Sequence, residues 1–241
     1  MSLDNYIRAG HIAAQVRENA RKKNHVGRTL YEICDSIESE INERGGQPAF
    51  PVNISLNEIA AHYTAEPDDQ IVIKDTDVVK IDLGVHINGY VADTAVSISY
   101  DSKYDQLIKI AELSLDEATK IAKSATKSSE IGKIIENTIT YNGLKPIQNL
   151  SGHSLEQYVI HAGKSIPNIK TYGPSFSLMP NQAYAIEPFV TTKDGLGVVY
   201  EGKIKNIFSL YQENLRKIRT RMNLSYICGI DLRHFHLRYV G

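Results

Sequence analysis

The sequence predicts an α+β protein made of two similar halves, each with helices outside a largely antiparallel sheet. Three observations predict that class. Apolar residues at helical spacing occur in two pairs of segments, with β-branched runs between and after them. Asn88-Gly89 joins two of those runs, the strongest short-range signal for a hairpin. The order helix, helix, Gly, Pro, Asn-Ile-Ser (53–55) returns about 96 residues later as helix, helix, Gly, Pro, Asn-Leu-Ser (149–151).

The first helix is read over 3–23, where Ile12, Ala13, Val16 and Ala20 share one side and Gly27 follows as a breaker. The second spans 28–44, with Leu30, Ile33, Cys34, Ile37 and Ile41 as its apolar stripe and Gly45-Gly46 as its stop. A Pro-bounded, half-apolar stretch runs from 48 to 64. Strands are predicted at 77–87 and 90–100 on either side of the Asn-Gly turn. Helices follow at 102–123 and 129–141, the latter carrying Ile131, Ile134, Ile135 and Ile139 and ending at Asn142-Gly143. Shorter strands are expected at 156–161, 182–190 and 197–201.

Of the 241 residues, 42% are hydrophobic and 23% charged, as in an ordinary globular protein. A formal net charge of −1 gives no whole-chain case for nucleic acid or an anionic membrane as partner. No apolar run approaches the roughly 20 residues of a membrane span. Residues 1–10 lack the apolar core of a signal peptide. Cys34 and Cys228 stand alone, in no CxxC pattern, which fits a reducing compartment and makes the cytoplasm the expected location.

The hairpin carries the first chemistry. With the turn at Asn88-Gly89, residue 87 faces residue 90 and Asp82 lies opposite Ala95. Asp93 is two residues from Ala95, on the same side, so both carboxylates leave one face as a diagonal pair roughly 7–8 Å apart at the backbone. Two such groups among Val, Ile and Leu repel unless a shared proton or a divalent cation neutralises them. Solvent-facing strand positions are the plainer explanation for any two Asp residues on a hairpin. Val78, Val79, Ile81, Leu83, Val91 and Ala92 weigh against it, because they read as strands buried on both faces. His153, in Ser151-Gly-His-Ser154, is expected in a loop, where a neutral imidazole can ligate a metal. Glu187, in Ala185-Ile-Glu-Pro-Phe189, is a carboxylate within an apolar run, costly unless paired or coordinating. Together Asp82, Asp93, His153 and Glu187 suit paired divalent transition metals better than a structural zinc. The residues alone thus reach a candidate two-metal hydrolase.

Four segments in order resemble the motifs of type 2 methionine aminopeptidases, the archaeal form above all. They are Ala49-Phe-Pro-Val-Asn-Ile-Ser-Leu-Asn-Glu-Ile-Ala-Ala-His-Tyr-Thr64, Lys80-Ile-Asp-Leu-Gly84 with Asp93 beyond it, Asn149-Leu-Ser-Gly-His153 with Ile160-His-Ala-Gly163, and Ala185-Ile-Glu-Pro-Phe189. The resemblance runs from about residue 5 to about residue 210. It implies the pita-bread fold, two pseudo-symmetric halves around a central metal site, over 1–202. It also implies removal of the initiator methionine from nascent polypeptides, with the ribosome as a further partner, in a monomer with no membrane association. Two divalent ions (Co, Mn, Fe, Zn or Ni) are implied, with Asp82 as a terminal ligand, Asp93 as the bridge, and His153 and Glu187 on the other ion. Glu187 is also implied as a proton shuttle. His62 and His161 correspond to the histidines beside the substrate, for proton handling at the new N-terminus and for charge on the scissile carbonyl. Phe50 and Ile160 correspond to the lining of the methionine pocket. Val52 and Glu156 depart from the usual pattern.

The tail, 203–241, holds eight basic and two acidic residues. Nothing past Glu201 matches the family's last strands with their fifth ligand, a bridging Glu. The tail is therefore expected to be a partial helical insertion or an aberrant segment read in a shifted frame. The accompanying expectation is weak or single metal loading and low activity. Two other readings share the motifs in part: an Xaa-Pro aminopeptidase or prolidase, and a non-catalytic relative bound to RNA or ribosomes.

Overall fold

In the structure, a computed structural model, residues 2–209 and 236–238 are described. The chain divides into two compact units, Met1–Tyr100 with Gly202–Gly241, and Asp101–Glu201.

The first unit opens with α1 (Ser2–Lys22) and α2 (Leu30–Glu43). The apolar stripes place both: Ala9, Ile12, Ala13, Val16 and Ala20 of α1 and Leu30, Ile33, Cys34, Ile37 and Ile41 of α2 enter one core. Helix α2 starts on a capping box, with Glu32 N donating to Thr29 Oγ1 at 3.2 Å and Thr29 N donating to Glu32 Oε2 at 2.8 Å. Strands β1 (Gln47–Pro48), β2 (Asn53–Leu56), β3 (Val78–Ile87) and β4 (Tyr90–Ser99) form its antiparallel sheet. β3 is central, with β4 on one edge and both β1 and β2 on the other. Val79, Ile81, Leu83 and Val85 face the helices and are fully buried. Arg17 of α1 donates to Thr94 Oγ1 of β4 at 2.8 Å, which marks the same side of β4. The even-numbered residues of β3 lie on the opposite face.

Asn88 (φ 51°) and Gly89 (φ 81°) both have positive φ, the signature of a type I′ turn, whose twist matches the strands it joins. It fixes the register found: Ile87 opposite Tyr90, Asp82 opposite Ala95, Gly84 opposite Asp93. The burial is less symmetric than the sequence suggested, since β4 is largely half-exposed and Ala95 is exposed.

The second unit begins with a 3₁₀ turn, Ser102–Tyr104, then α3 (Asp105–Ile121) and α4 (Ser128–Tyr141). Strands β5 (Lys145–Pro146), β6 (Ser151–Leu155), β7 (Ser165–Pro167), β8 (Ala183–Tyr184) and β9 (Val190–Thr191) follow. β6 lies between β7 and β8, while β5 pairs with β9. Ile131, Ile135 and Ile139 of α4 join Ile110, Ala118, Ile166 and Leu178 in the core of this unit. Back in the first unit, β10 (Ile207–Ser209) pairs with β11 (His236–Arg238).

The internal repeat is clearer in the elements than in the letters. α4 begins and ends 98 residues after α2, β5 begins and ends 98 after β1, and β6 begins 98 after β2. Asn53 therefore corresponds to Ser151, not to Asn149.

Three strand expectations change. Residues 156–161 form a tight turn, with Tyr158 at φ 60°; the strand is β6, just before them. Residues 182–190 give only the short β8 and the start of β9, with Pro188 between. No strand forms at 197–201. The expected helical insertion falls mostly on residues outside those described. Among the described residues, no helix is long and apolar enough to cross a membrane.

Two histidines couple this packing to pH. His25, 1% exposed, sets Nε2 at 2.7 Å from Ala20 O, and burial holds its imidazole below the ordinary 6.5, against the opposing effect of that hydrogen bond. Burial also lowers His86, whose Nδ1 accepts from Gly89 N at 3.2 Å. Above 6.5 both are neutral whether folded or unfolded and contribute nothing. Below it the unfolded chain takes up protons first, so stability falls until the folded-state values are reached. Urea unfolding in chelator is expected to give lower stability at about pH 5.5 than at about pH 7.5, with a smaller loss in His25→Asn.

Candidate metal centre

Asp82 and Asp93 leave the face of the hairpin turned away from α1 and α2. Asp82 faces Ala95, Asp93 faces Gly84, and the two acids form the diagonal of that square. The small partners leave room above the sheet. Part of that room is filled by Phe50. Between Pro48 (opposite Val85) and Asn53 (opposite Asp82), the residues 49–52 span only Leu83 and Gly84, so the chain bulges. The bulge lays the buried Phe50 ring over Gly84, where a Cβ would collide with Phe50 and stand 2.9 Å from Ala49 Cβ. On β2, Asn53 is 4% exposed, stands opposite Asp82, and its Nδ2 donates to Asp82 Oδ2 at 3.4 Å. Lys80, one pleat from Asp82, donates from Nζ to Asn57 O at 2.8 Å, and burial pulls its amine down to about 8.

The second unit repeats the device. His153 is in strand β6, not in a loop, and exchanges both backbone hydrogen bonds with Ala185: His153 N to Ala185 O at 3.1 Å, Ala185 N to His153 O at 2.8 Å. Gly152 permits this approach, because a Cβ there would collide with Ala185 O. Glu187 is two residues beyond Ala185, the diagonal position again. His153 Nε2 and Glu187 Oε1 stand 2.9 Å apart. That approach is not aligned as a hydrogen bond, and Oε1 is buried with no hydrogen-bond donor among the described residues. Two donors at about 2.1 Å from one cation and at right angles are roughly 3 Å apart, so the spacing fits ligands converging on a metal. One ligand atom each from Asp93, His153 and Glu187 lies within 4.8 Å of the other two, a group able to hold a metal ion. Two carboxylates and one imidazole suit a divalent transition metal.

The other predicted residues are placed as follows. His62, exposed and at φ 60°, lies in the connection from β2 to β3. Its left-handed backbone is uncommon for a non-glycine residue and is held by the neighbours. Ile54 N donates to Tyr63 O at 2.7 Å, Thr64 Oγ1 donates to Val52 O at 2.8 Å, and the Asn206 amide donates to Thr64 O. Tyr63 OH donates to Asp69 at 2.9 Å; burial first, then that carboxylate, pushes its phenol above the ordinary value. His161 is exposed, and its ring meets that of His153 edge-on, centroids 4.3 Å apart, so it is no core histidine. Ile160, half-buried, precedes it at the end of the 156–159 turn. Asn53 was not foreseen as a site residue; the available signal was its place opposite Asp82, which only the β2–β3 pairing reveals.

The family described as metallopeptidase family M24 matches residues 4–206. The chain belongs to that family. Its similarity to the methionine aminopeptidase of Pyrococcus horikoshii is 49% identity over 201 residues, covering 83% of this chain and 68% of the relative. The methionine aminopeptidase of Thermococcus onnurineus is 44% identical over 222 residues, 92% of this chain and 75% of that one. Among solved structures, the methionine aminopeptidase of Thermotoga maritima superposes with a TM-score of 0.69 at 25% identity, over 76% of this chain and 77% of that one. The prolidase of Pyrococcus furiosus gives 0.66 at 22% identity, over 80% and 57%, and shares the fold alone. The fold is thus the pita-bread fold, and membership of a metallopeptidase family carries the use of divalent metal.

Gly84→Ala is expected to displace Phe50 and to destabilise the protein by about 1–3 kcal/mol, as overpacking does. Urea unfolding measures the loss. An unchanged midpoint would mean that Phe50 is not seated on Gly84.

Proposed function

We propose that the chain removes the N-terminal methionine of polypeptides by metal-dependent hydrolysis of the first peptide bond. The observation that carries this reading is the convergence of Asp93, His153 and Glu187 in a chain 49% identical to a methionine aminopeptidase. In it, Asp93, His153 and Glu187 would hold one divalent ion, and Asp82 with Asp93 would hold a second. The bound metal would supply Lewis-acid polarisation of the scissile carbonyl and an activated water.

The chain's own residues do the rest. Phe50, seated beside the carboxylates by the bulge at 49–52, is read as an apolar wall against the methionine side chain. In this reading His62 exchanges a proton with the departing amine. In this reading His161, whose ring meets that of His153 edge-on, donates to the developing carbonyl oxyanion. Glu187, beside His153, would also move a proton in this reading.

The test is peptide hydrolysis with Mn²⁺ or Co²⁺ added. Met-Ala-Ser is expected to be cleaved and Xaa-Pro peptides to be left intact, with EDTA abolishing turnover. Glu187→Gln and Asp93→Asn are each expected to lower kcat by about 100-fold or more, while His62→Ala and His161→Ala lose about 10²–10⁴-fold by removing a proton donor. Preferential cleavage of Xaa-Pro peptides would replace the proposal with a prolidase. Salt-sensitive RNA binding without any hydrolysis would replace it with a binding protein.

A further inference from the structure

We infer that Asn53 is a positioning residue for Asp82, holding the orientation of its carboxylate toward a divalent cation. The inference rests on the metal-site reading above and deepens it. Three observations in the first unit carry it. Asn53 lies directly opposite Asp82 on the neighbouring strand, so both side chains leave the same face. Its Nδ2 donates to Asp82 Oδ2 at 3.4 Å. The amide is 4% exposed, and its Oδ1 is buried without a hydrogen-bond partner among the described residues.

The physical argument follows from the cost of that arrangement. A buried amide with one unsatisfied oxygen is a net expense to the fold, and an apolar side chain of similar size would remove it. An Asn kept there for packing alone is therefore a poor choice. An N–H directed at one carboxylate oxygen, by contrast, holds Asp82 against rotation about its Cβ–Cγ bond and so fixes the plane of its carboxylate. Groups that hold metal ligands by hydrogen bonds typically change metal affinity by 10–100-fold when removed. Only an uncharged donor suits this role beside a carboxylate: an acid at 53 would add a third negative charge next to Asp82 and Asp93.

Opposite signs in stability and affinity make the inference testable. Asn53→Leu keeps the branched shape and removes both the donor and the orphaned oxygen. Asn53→Ser keeps a hydroxyl donor. Each purified full-length variant is stripped of metal, then titrated with Mn²⁺ by calorimetry, and its thermal unfolding is followed in EDTA. Asn53→Leu is expected to raise the Mn²⁺ dissociation constant about 10-fold or more while its metal-free Tm is equal to or above that of the parent. Asn53→Ser is expected to fall between the two in affinity. Activity of Asn53→Leu on Met-Ala-Ser is expected to recover at saturating Mn²⁺, a split that lost packing does not produce. An unchanged Mn²⁺ constant in Asn53→Leu overturns the inference, as does a metal-free Tm that drops while affinity holds. A parent chain that binds no Mn²⁺ overturns the metal-site reading itself, a result distinct from a parent that binds and a variant that binds equally.

Discussion

Antiparallel pairing places a side chain and the diagonal neighbour of its partner on one face of a sheet, and both halves of the candidate site are built on that constraint. In the first unit Asp82 faces Ala95 and its diagonal neighbour is Asp93. In the second His153 pairs with Ala185 and its diagonal neighbour is Glu187. The positions completing each square are small: Ala95 and Gly84 in one, Ala185 in the other. A bulky residue at any of them would occupy the volume in which the ligand atoms converge. The turn at Asn88-Gly89 thus acts well beyond itself. A slip of one residue in the hairpin would send one acid to the helix side.

The diagonal has an electrostatic cost, met from the other face of the sheet. Two carboxylates about 7 Å apart in a medium of effective dielectric near 20 repel by about 2 kcal/mol, and more as their side chains approach. The face behind them carries Val79, Ile81, Leu83 and Val85, all fully buried against α1 and α2. Burying side chains of that kind contributes about 1.5–3 kcal/mol each, which together exceeds a repulsion of that size.

Much of this was legible in the sequence because short-range signals fixed it. The Asn-Gly turn set the register of β3 and β4 with no other information, and the apolar stripes of α2 and α4 gave those helices to within two residues. The strand bearing His153 was misplaced for a physical reason. Ser-Gly-His-Ser has little intrinsic strand preference, whereas Tyr158-Val-Ile has much. Pairing with Ala183–Tyr184 and Ala185 overrides both, and the left-handed Tyr158 turns the more apolar segment out of the sheet. Asn53 was illegible for a related reason. Its importance lies in standing opposite Asp82, and the pairing of β2 with β3 crosses more than twenty intervening residues with no turn motif to announce it.

Charge also bears on how many ions the proposed ligands hold. Asp82, Asp93 and Glu187 carry three negative charges between them, and a neutral His153 adds none. One dication leaves the group one charge negative and satisfies the converging trio of Asp93, His153 and Glu187. Under the proposed assignment a second dication would bind through Asp82 and Asp93, and it would turn the sum one charge positive. The first ion would enter an attractive field and a three-ligand set, while the second would enter a field already reduced by the first and meet fewer of the proposed ligands. Under that assignment the two sites are unequal. The weaker is the one that depends on Asp82, where a hydrogen bond that orients a single carboxylate has the most influence on affinity.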